Sequence, residues 1–335
     1  MDDRLAYALH ALLNDHYDIG RILRFRQIRR GTQAECYELL TAEQHEYALF
    51  LYPPEFSRQA LCDAGPVLDR LAAAGFPVSR PVPGRDSCSG TGTLPIPWAI
   101  EGPQGSHFFL ATLAPGQAVP AADWSNHDLS NLGLRLGWLH RTMRDAFAAK
   151  ATQAMDSSVA NSAVINKDSP AQRLVKALES SAPRGRKIRQ VLSSEAIDRL
   201  LSEVEKLAPV CTGYVHGGIS PDGVLLDGDR HISSVVDWGL FSTGLPAQDV
   251  IDVFVHWCVQ KEGEVRADAA QSLLQAYLSL EKLRGDQWHP AAVAWCAHRL
   301  GAALMGRSHL PRGFASILEN PHSLSATLTI CQSKL

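Results

Sequence analysis

Apolar residues follow two periods along this chain, and the points where the period changes mark its elements. Residues 4–15 carry Leu5, Leu9, Leu12 and Leu13 on one side, which predicts an amphipathic helix ended by Tyr17-Asp18-Ile19-Gly20. The pattern then tightens to strand-like runs, Ile22–Ile28, Glu35–Leu40 and Tyr47–Tyr52. Gly31-Thr32-Gln33 and Thr41–Glu46 separate them as turns, so an antiparallel meander is expected. Helical spacing returns from Ser57 to Ala74 and stops at Gly75 and Pro77. Residues 84–107 are rich in Gly, Ser, Thr and Pro, with strand candidates at Trp98–Glu101 and His107–Leu113.

Beyond Ala114-Pro115-Gly116 the chain is mainly helical. Asp128–Phe147 places Leu129, Leu132, Leu136, Leu139 and Met143 on one face. Residues 150–170 are small and polar without periodicity, which predicts a loop. Ser193–Leu207, 248–260, 266–284, 290–306 and a weaker 321–330 read as helices. The exception is His216–Asp237. Val224-Leu225-Leu226 and Ile232–Val236 are two short strands joined at Asp227-Gly228, a hairpin signal because Gly tolerates positive φ. The expected organisation is therefore α+β, with residues 1–114 as a small antiparallel-sheet lobe and 115–335 as a larger, mainly helical lobe.

Composition narrows the function classes. The 335 residues are 45% hydrophobic and 20% charged, as in a globular protein with a sizeable core. A net charge of −3 gives no electrostatic case for nucleic acid or an anionic membrane. No apolar run reaches spanning length, and the N-terminus lacks a secretory apolar region. The 7 cysteines are scattered, so neither disulfides nor a structural zinc is expected, which fits a reducing cytoplasm.

Candidate chemistry concentrates in the hairpin. Asp237 stands at a strand end beside the loop His216–Gly223, the layout of a phosphoryl-transfer site with a loop, a hairpin and a metal-binding carboxylate. A strand-end Asp capping a turn is the plainer reading. Ser87–Thr93 looks like a phosphate loop but lacks a following Lys, so a hairpin turn is expected. His256 and His298 lack paired spacing and read as core or surface histidines, and Trp124, Trp138, Trp238, Trp257, Trp288 and Trp295 as core. Arg184, Arg186, Lys187 and Arg189 read as a solvated helix start.

His216-Gly217-Gly218-x-x-Pro221-x-Gly223-Val-Leu-Leu followed by Val235-Val236-Asp237-Trp238 resembles the aminoglycoside-phosphotransferase-like kinases, and within them the homoserine kinases of that fold. Tyr17–Gly20, Leu68–Val78, Leu139-His140, His256–Val259 and Leu273–Tyr277 extend the resemblance over most of the chain. It implies a bilobal protein-kinase-like fold with ATP between the lobes near Ala111, Thr112 and Leu113. It also implies Mg²⁺ on Asp237, with His216 and Asp249 bracing the loop. The family's loop reads His-Gly-Asp-x-x-x-x-Asn. Here the base position is Gly218, the Asn position is Gly223, and the small-lobe Lys position falls on Phe50. Asp222, next to the Asn position, offers a replacement carboxylate, against the alternative of turn chemistry. The resemblance with these losses implies an impaired kinase, a pseudokinase, that binds a nucleotide, a small metabolite or a protein partner, with ATP and Mg²⁺ use weakened or lost. The alternative is an active ATP-dependent kinase for a small hydroxyl compound such as homoserine.

Overall fold

The structure, a computed structural model, describes residues 3–30, 33–85, 98–156, 170–179, 183–207, 213–260, 264–311 and 313–334. Ser87–Thr93 and the first two residues of the turn Gly31-Thr32-Gln33 lie outside them.

The N-terminal part runs α1 (Asp3–His16), β1 (Ile22–Arg30), β2 (Glu35–Thr41), β3 (Glu46–Tyr52), α2 (Arg58–Ala73), β4 (Ala99–Glu101) and β5 (His107–Thr112). The strands form one antiparallel sheet in the order β1-β2-β3-β5-β4, so the expected meander forms and the two later strands add to its far side. Alternation along the strands divides this sheet into two faces. Tyr37, Leu39, Leu49, Phe108 and Leu110 pack with Leu9 and Leu13 of α1. Cys36, Ala48, Phe50, Tyr52, Phe109 and Ala111 face the other way and join the main core with α2. Ser57 caps α2, its side chain accepting from Ala60 N at 3.3 Å.

The remainder begins with β6 (Gln117–Ala118) and α3 (Asn126–Asp156), followed by α4 (Pro170–Glu179), α5 (Pro183–Val191) and α6 (Ser194–Lys206). Then come β7 (Gly213–Val215), β8 (Val224–Leu226), β9 (Ile232–Val235), β10 (Ser242–Gly244) and α7 (Ala247–Val253). A π-turn over Phe254–Cys258 leads to α8 (Ala267–Leu280), α9 (Trp288–Leu304), α10 (Phe314–Glu319) and α11 (Pro321–Ser333). Helix α3 continues nine residues past the expected end at Phe147, through Asp156, so part of the stretch expected to be a loop is helical.

Two packing facts position the site. Helix α9 is apolar on almost every side and is buried among other helices. Helices α3 and α8 approach closely at Gly133, where a Cβ would stand 2.3 Å from the Leu273 carbonyl oxygen. The hairpin turn differs from the expectation in one respect. Its positive φ falls at Arg230 (64°), not at Gly228, because the Asp227 carboxylate accepts from Asp229 N and His231 N and sets a longer turn. Arg230 is held there by Asp128 at 2.6 Å.

Candidate active site

The loop between β7 and β8 is shaped by one buried carboxylate. Asp249, near the start of α7, accepts from His216 N and Gly217 N, both at 2.8 Å. His140 of α3 contacts the same carboxylate through Nε2 at 3.2 Å, and its Nδ1 lies 3.0 Å from the Tyr277 hydroxyl. Tyr277 donating to Nδ1 and Nε2–H donating to Asp249 satisfies both contacts. Burial alone would raise the Asp249 pKa; the hydrogen bonds from His140 and the Gly217 amide outweigh it and hold the carboxyl below its ordinary value. His216 Nε2–H donates to Val236 O at 3.0 Å and its ring packs on Trp238, while burial keeps the imidazole neutral. Gly217 adopts φ +79°, and a Cβ there would meet Leu240 O at 2.5 Å and His298 Nε2 at 2.7 Å, so no other residue fits.

Asp237 closes the hairpin. Its strand is fixed from two sides: Val235 N donates to Pro77 O and Val236 N to Gly223 O, both at 2.8 Å. Asp237 itself has φ 69° and ψ 51°, a left-handed conformation that costs a non-glycine residue about 1–3 kcal/mol, and it is buried. A Cβ built on Gly223 would stand 3.9 Å from the Asp237 Cβ and 3.3 Å from Val236 O. A side chain at 223 would therefore lie directly beside Asp237. Asp222, in the turn Pro221–Gly223, is exposed. As a donor set for Mg²⁺, Asp237 fits one ion completed by phosphate oxygens and water. A second ion, needing near-octahedral oxygen ligands, does not fit beside a glycine.

A Cβ on Gly218, in the same loop, would meet Gln33 Nε2 at 3.1 Å, Leu240 Cδ1 at 3.2 Å and Arg299 Nη1 at 3.4 Å. Arg299 is buried in α9, with Nε 3.4 Å from Asp252 Oδ1 and Nη2 3.4 Å from His256 Nε2. Trp295 Nε1 donates to the same Asp252 oxygen at 2.6 Å. Burial pushes the Asp252 carboxyl up to about 6, against the pull of Arg299 and Trp295. His298 Nε2–H donates to Gly217 O at 3.1 Å, and burial pushes both His256 and His298 down to about 3. His298 thus supports the loop from below, and His256 lies beside Arg299.

On the inner sheet face Phe50 is buried opposite Cys36 and Phe109. On the adjacent strand β2, Glu38 lies opposite Ala48 and pairs with Arg26 at 2.6 Å and with Arg24. The Arg26 hydrogen bond outweighs desolvation and lowers the Glu38 pKa. Ala111 lies opposite Ala48 on that same face. The amides of Thr112 and Leu113 donate to Arg80 O and Glu46 O.

With loop, hairpin and brace placed, comparison with known proteins decides the family. The model of the phosphotransferase enzyme family matches residues 24–283. The chain belongs to that family. It is 25% identical over 280 residues to a homoserine kinase of Paramagnetospirillum magneticum, covering 81% of this chain and 76% of the relative. A homoserine kinase of Acidiphilium cryptum is 26% identical over 285 residues, covering 84% and 78%. Among solved structures, the amicoumacin kinase hAmiN in complex with AMP-PNP and Ca²⁺ superposes with a TM-score of 0.60 at 14% identity, over 98% of this chain and 94% of that one. The fold of this phosphotransferase-family chain is kinase-like α+β, a five-stranded antiparallel sheet with a mostly helical remainder. No helix among the described residues is long and apolar enough to cross a membrane.

Sequence reasoning passed over Gln33, Glu38, His140, Asp252, Tyr277 and Arg299 as site residues. The available signal was a charged or polar residue inside an otherwise apolar element, as with Arg299 in α9 and Glu38 in β2.

Proposed function

We propose that this protein uses a kinase-like fold to bind a nucleotide or small metabolite between lobes 1–114 and 115–335, and that it transfers phosphoryl groups poorly. The observation that carries this reading is the pair of glycines around an otherwise ordered site. Gly218 leaves no side chain to orient or deprotonate a hydroxyl, and Gly223 leaves none beside Asp237. A general base contributes about 10²–10⁴-fold, and positioning supplies most of the remaining acceleration. Loss of the base slows transfer, and loss of a metal ligand also loosens the phosphates.

Asp237 is the group that would hold a single Mg²⁺, which screens phosphate charge when bound. His216 and Asp249 keep the loop at its distance from Asp237. Asp222 is the nearest candidate for a substitute carboxylate and would have to turn inward from solvent. Ala111, Thr112 and Leu113 form the crossing between lobes where a base would lie. The homoserine kinases among the relatives make a small hydroxy amino acid the first metabolite to test, and a protein partner the second. The scattered spacing of the cysteines in the sequence favours a reducing compartment.

The second reading, an active kinase for a small hydroxyl compound, draws support from Asp237 itself. A left-handed, buried aspartate at a strand end is maintained at a cost in energy. Incubation of the protein with ATP, Mg²⁺ and L-homoserine separates the two readings. The first expects no ADP above the ATP-hydrolysis background; stoichiometric ADP and O-phosphohomoserine establish the second.

A further inference from the structure

Three side chains that take no part in the loop or the hairpin meet at the ends of three helices. Glu203 stands in the last turn of α6, His289 is the second residue of α9 and His322 the second of α11. One ligand atom from each, an imidazole nitrogen or a carboxylate oxygen, lies within 4.8 Å of the other two. Glu203 Oε2 and His289 Nε2 are 3.4 Å apart. That is long for an N–H···O hydrogen bond, whose usual range is about 2.7–3.2 Å. It matches the edge of a tetrahedron with metal–ligand bonds of about 2.0–2.1 Å, which is about 3.4 Å. The rings of His289 and His322 stack at 3.9 Å with 10° between their planes. His322 is exposed, so rotation of its side chain closes the remaining distance.

The ligand atoms are also presented in the right state. Among the described residues His289 Nδ1 has no hydrogen-bond partner and is enclosed, which leaves Nε2 as the nitrogen for an ion. Lys206 Nζ donates to Glu203 Oε1 at 2.7 Å and so fixes the carboxylate with Oε2 toward His289. The same hydrogen bond holds the Glu203 carboxyl below its ordinary value, so it is ionised as a ligand must be. Two imidazoles and one carboxylate suit Zn²⁺; Mg²⁺ takes oxygen ligands. The amino ends of α9 and α11 oppose a cation and the carboxyl end of α6 favours it. His289 Nδ1 also lacks the acceptor that a metal-bound histidine usually has, so a moderate affinity follows.

We propose that Glu203, His289 and His322 form a Zn²⁺ site, completed by water, that ties the starts of α9 and α11 to the end of α6. The site shares no residue with the Asp237 cleft and does not depend on phosphate chemistry there.

Zn²⁺ and Mg²⁺ are titrated separately by calorimetry into the full chain and into His322→Ala and Glu203→Gln. His322 is exposed, and Gln at 203 keeps an acceptor for Lys206, so both variants retain the fold, as the melting temperature without metal checks. The site predicts one Zn²⁺ per chain and a loss of affinity of about tenfold or more in each variant. Mg²⁺ gives no signal that either variant alters. Zn²⁺ at about 100-fold above its dissociation constant raises the melting temperature by about 2 °C or more, and by less in the variants at the same concentration. Co²⁺ in place of Zn²⁺ gives visible absorption without a thiolate band, which separates this site from binding to the 7 cysteines. No Zn²⁺ binding at about 100 µM, an affinity in either variant equal to that of the unmodified chain, or a thiolate band with Co²⁺ overturns the proposal.

Discussion

The guanidinium of Arg299 lies 3.4 Å from where a Cβ would stand on Gly218. A cation thus adjoins the position from which related loops present a carboxylate. Reversion of Gly218 to Asp alone would place the new carboxylate against Arg299, lower its pKa and weaken it as a base. Restoration of chemistry therefore depends more on the second glycine.

Gly223→Asn is the substitution that the geometry favours. The Cβ sits in ordinary contact with the Asp237 Cβ, and the 3.3 Å approach to Val236 O requires a shift of a few tenths of an ångström. The amide oxygen gains a place beside Asp237, so Mg²⁺-dependent affinity for ATP should rise about tenfold, measured by titration calorimetry. An affinity equal to that of the unmodified protein would mean the site has decayed beyond this residue.

Asp249 is the structural keystone of the loop. Asp249→Ala removes the acceptor of the His216 and Gly217 amides and the partner of His140, all of them buried. The expected loss is about 3–5 kcal/mol, read as a lower denaturation midpoint at unchanged slope. Asp249→Asn keeps one acceptor oxygen and should lose about half as much. Near-wild-type stability of Asp249→Ala would contradict the bracing role.

Acid should destabilise the fold before ordinary carboxylates titrate. His256 and His298 have folded pKa values of about 3, below the unfolded value, so between about pH 6.5 and 3 the unfolded chain binds two protons that the folded chain does not. Stability falls as pH falls through that window. Asp252, pushed up to about 6, acts oppositely between about pH 6 and 4, because there the folded state holds the extra proton. Between about pH 6 and 4 these three groups leave a net difference of about one proton, a slope of about 1.4 kcal/mol per pH unit, and His298→Gln, whose amide can still donate to Gly217 O, should flatten it. A melting temperature constant from pH 7 to 5 would rule out the buried neutral histidines.

Local pattern made much of this fold legible. The Leu9 and Leu13 stripe, the alternation around Tyr37, Leu39 and Leu49, and the Ser57 cap each follow from one stretch of chain. The hairpin of Val224–Leu226 with Ile232–Val235 was readable from local pattern. Arg299 and Gln33 were not, because their meeting point with Gly218 is set by packing between distant elements rather than by local spacing. The left-handed turn residue was misplaced for a related reason: the Asp227 side chain, not the glycine beside it, dictates the turn.

The central claim is that Asp237 still supports ligand binding while chemistry is impaired. The direct measurement is the melting temperature with millimolar ATP, with and without Mg²⁺, for the protein and for Asp237→Asn, which tolerates the left-handed conformation and removes the charge. The account predicts an upward shift enhanced by Mg²⁺, loss of that enhancement in Asp237→Asn, and no ADP release on adding L-homoserine. No shift with ATP, or homoserine-dependent ADP release that Asp237→Asn abolishes, would contradict it.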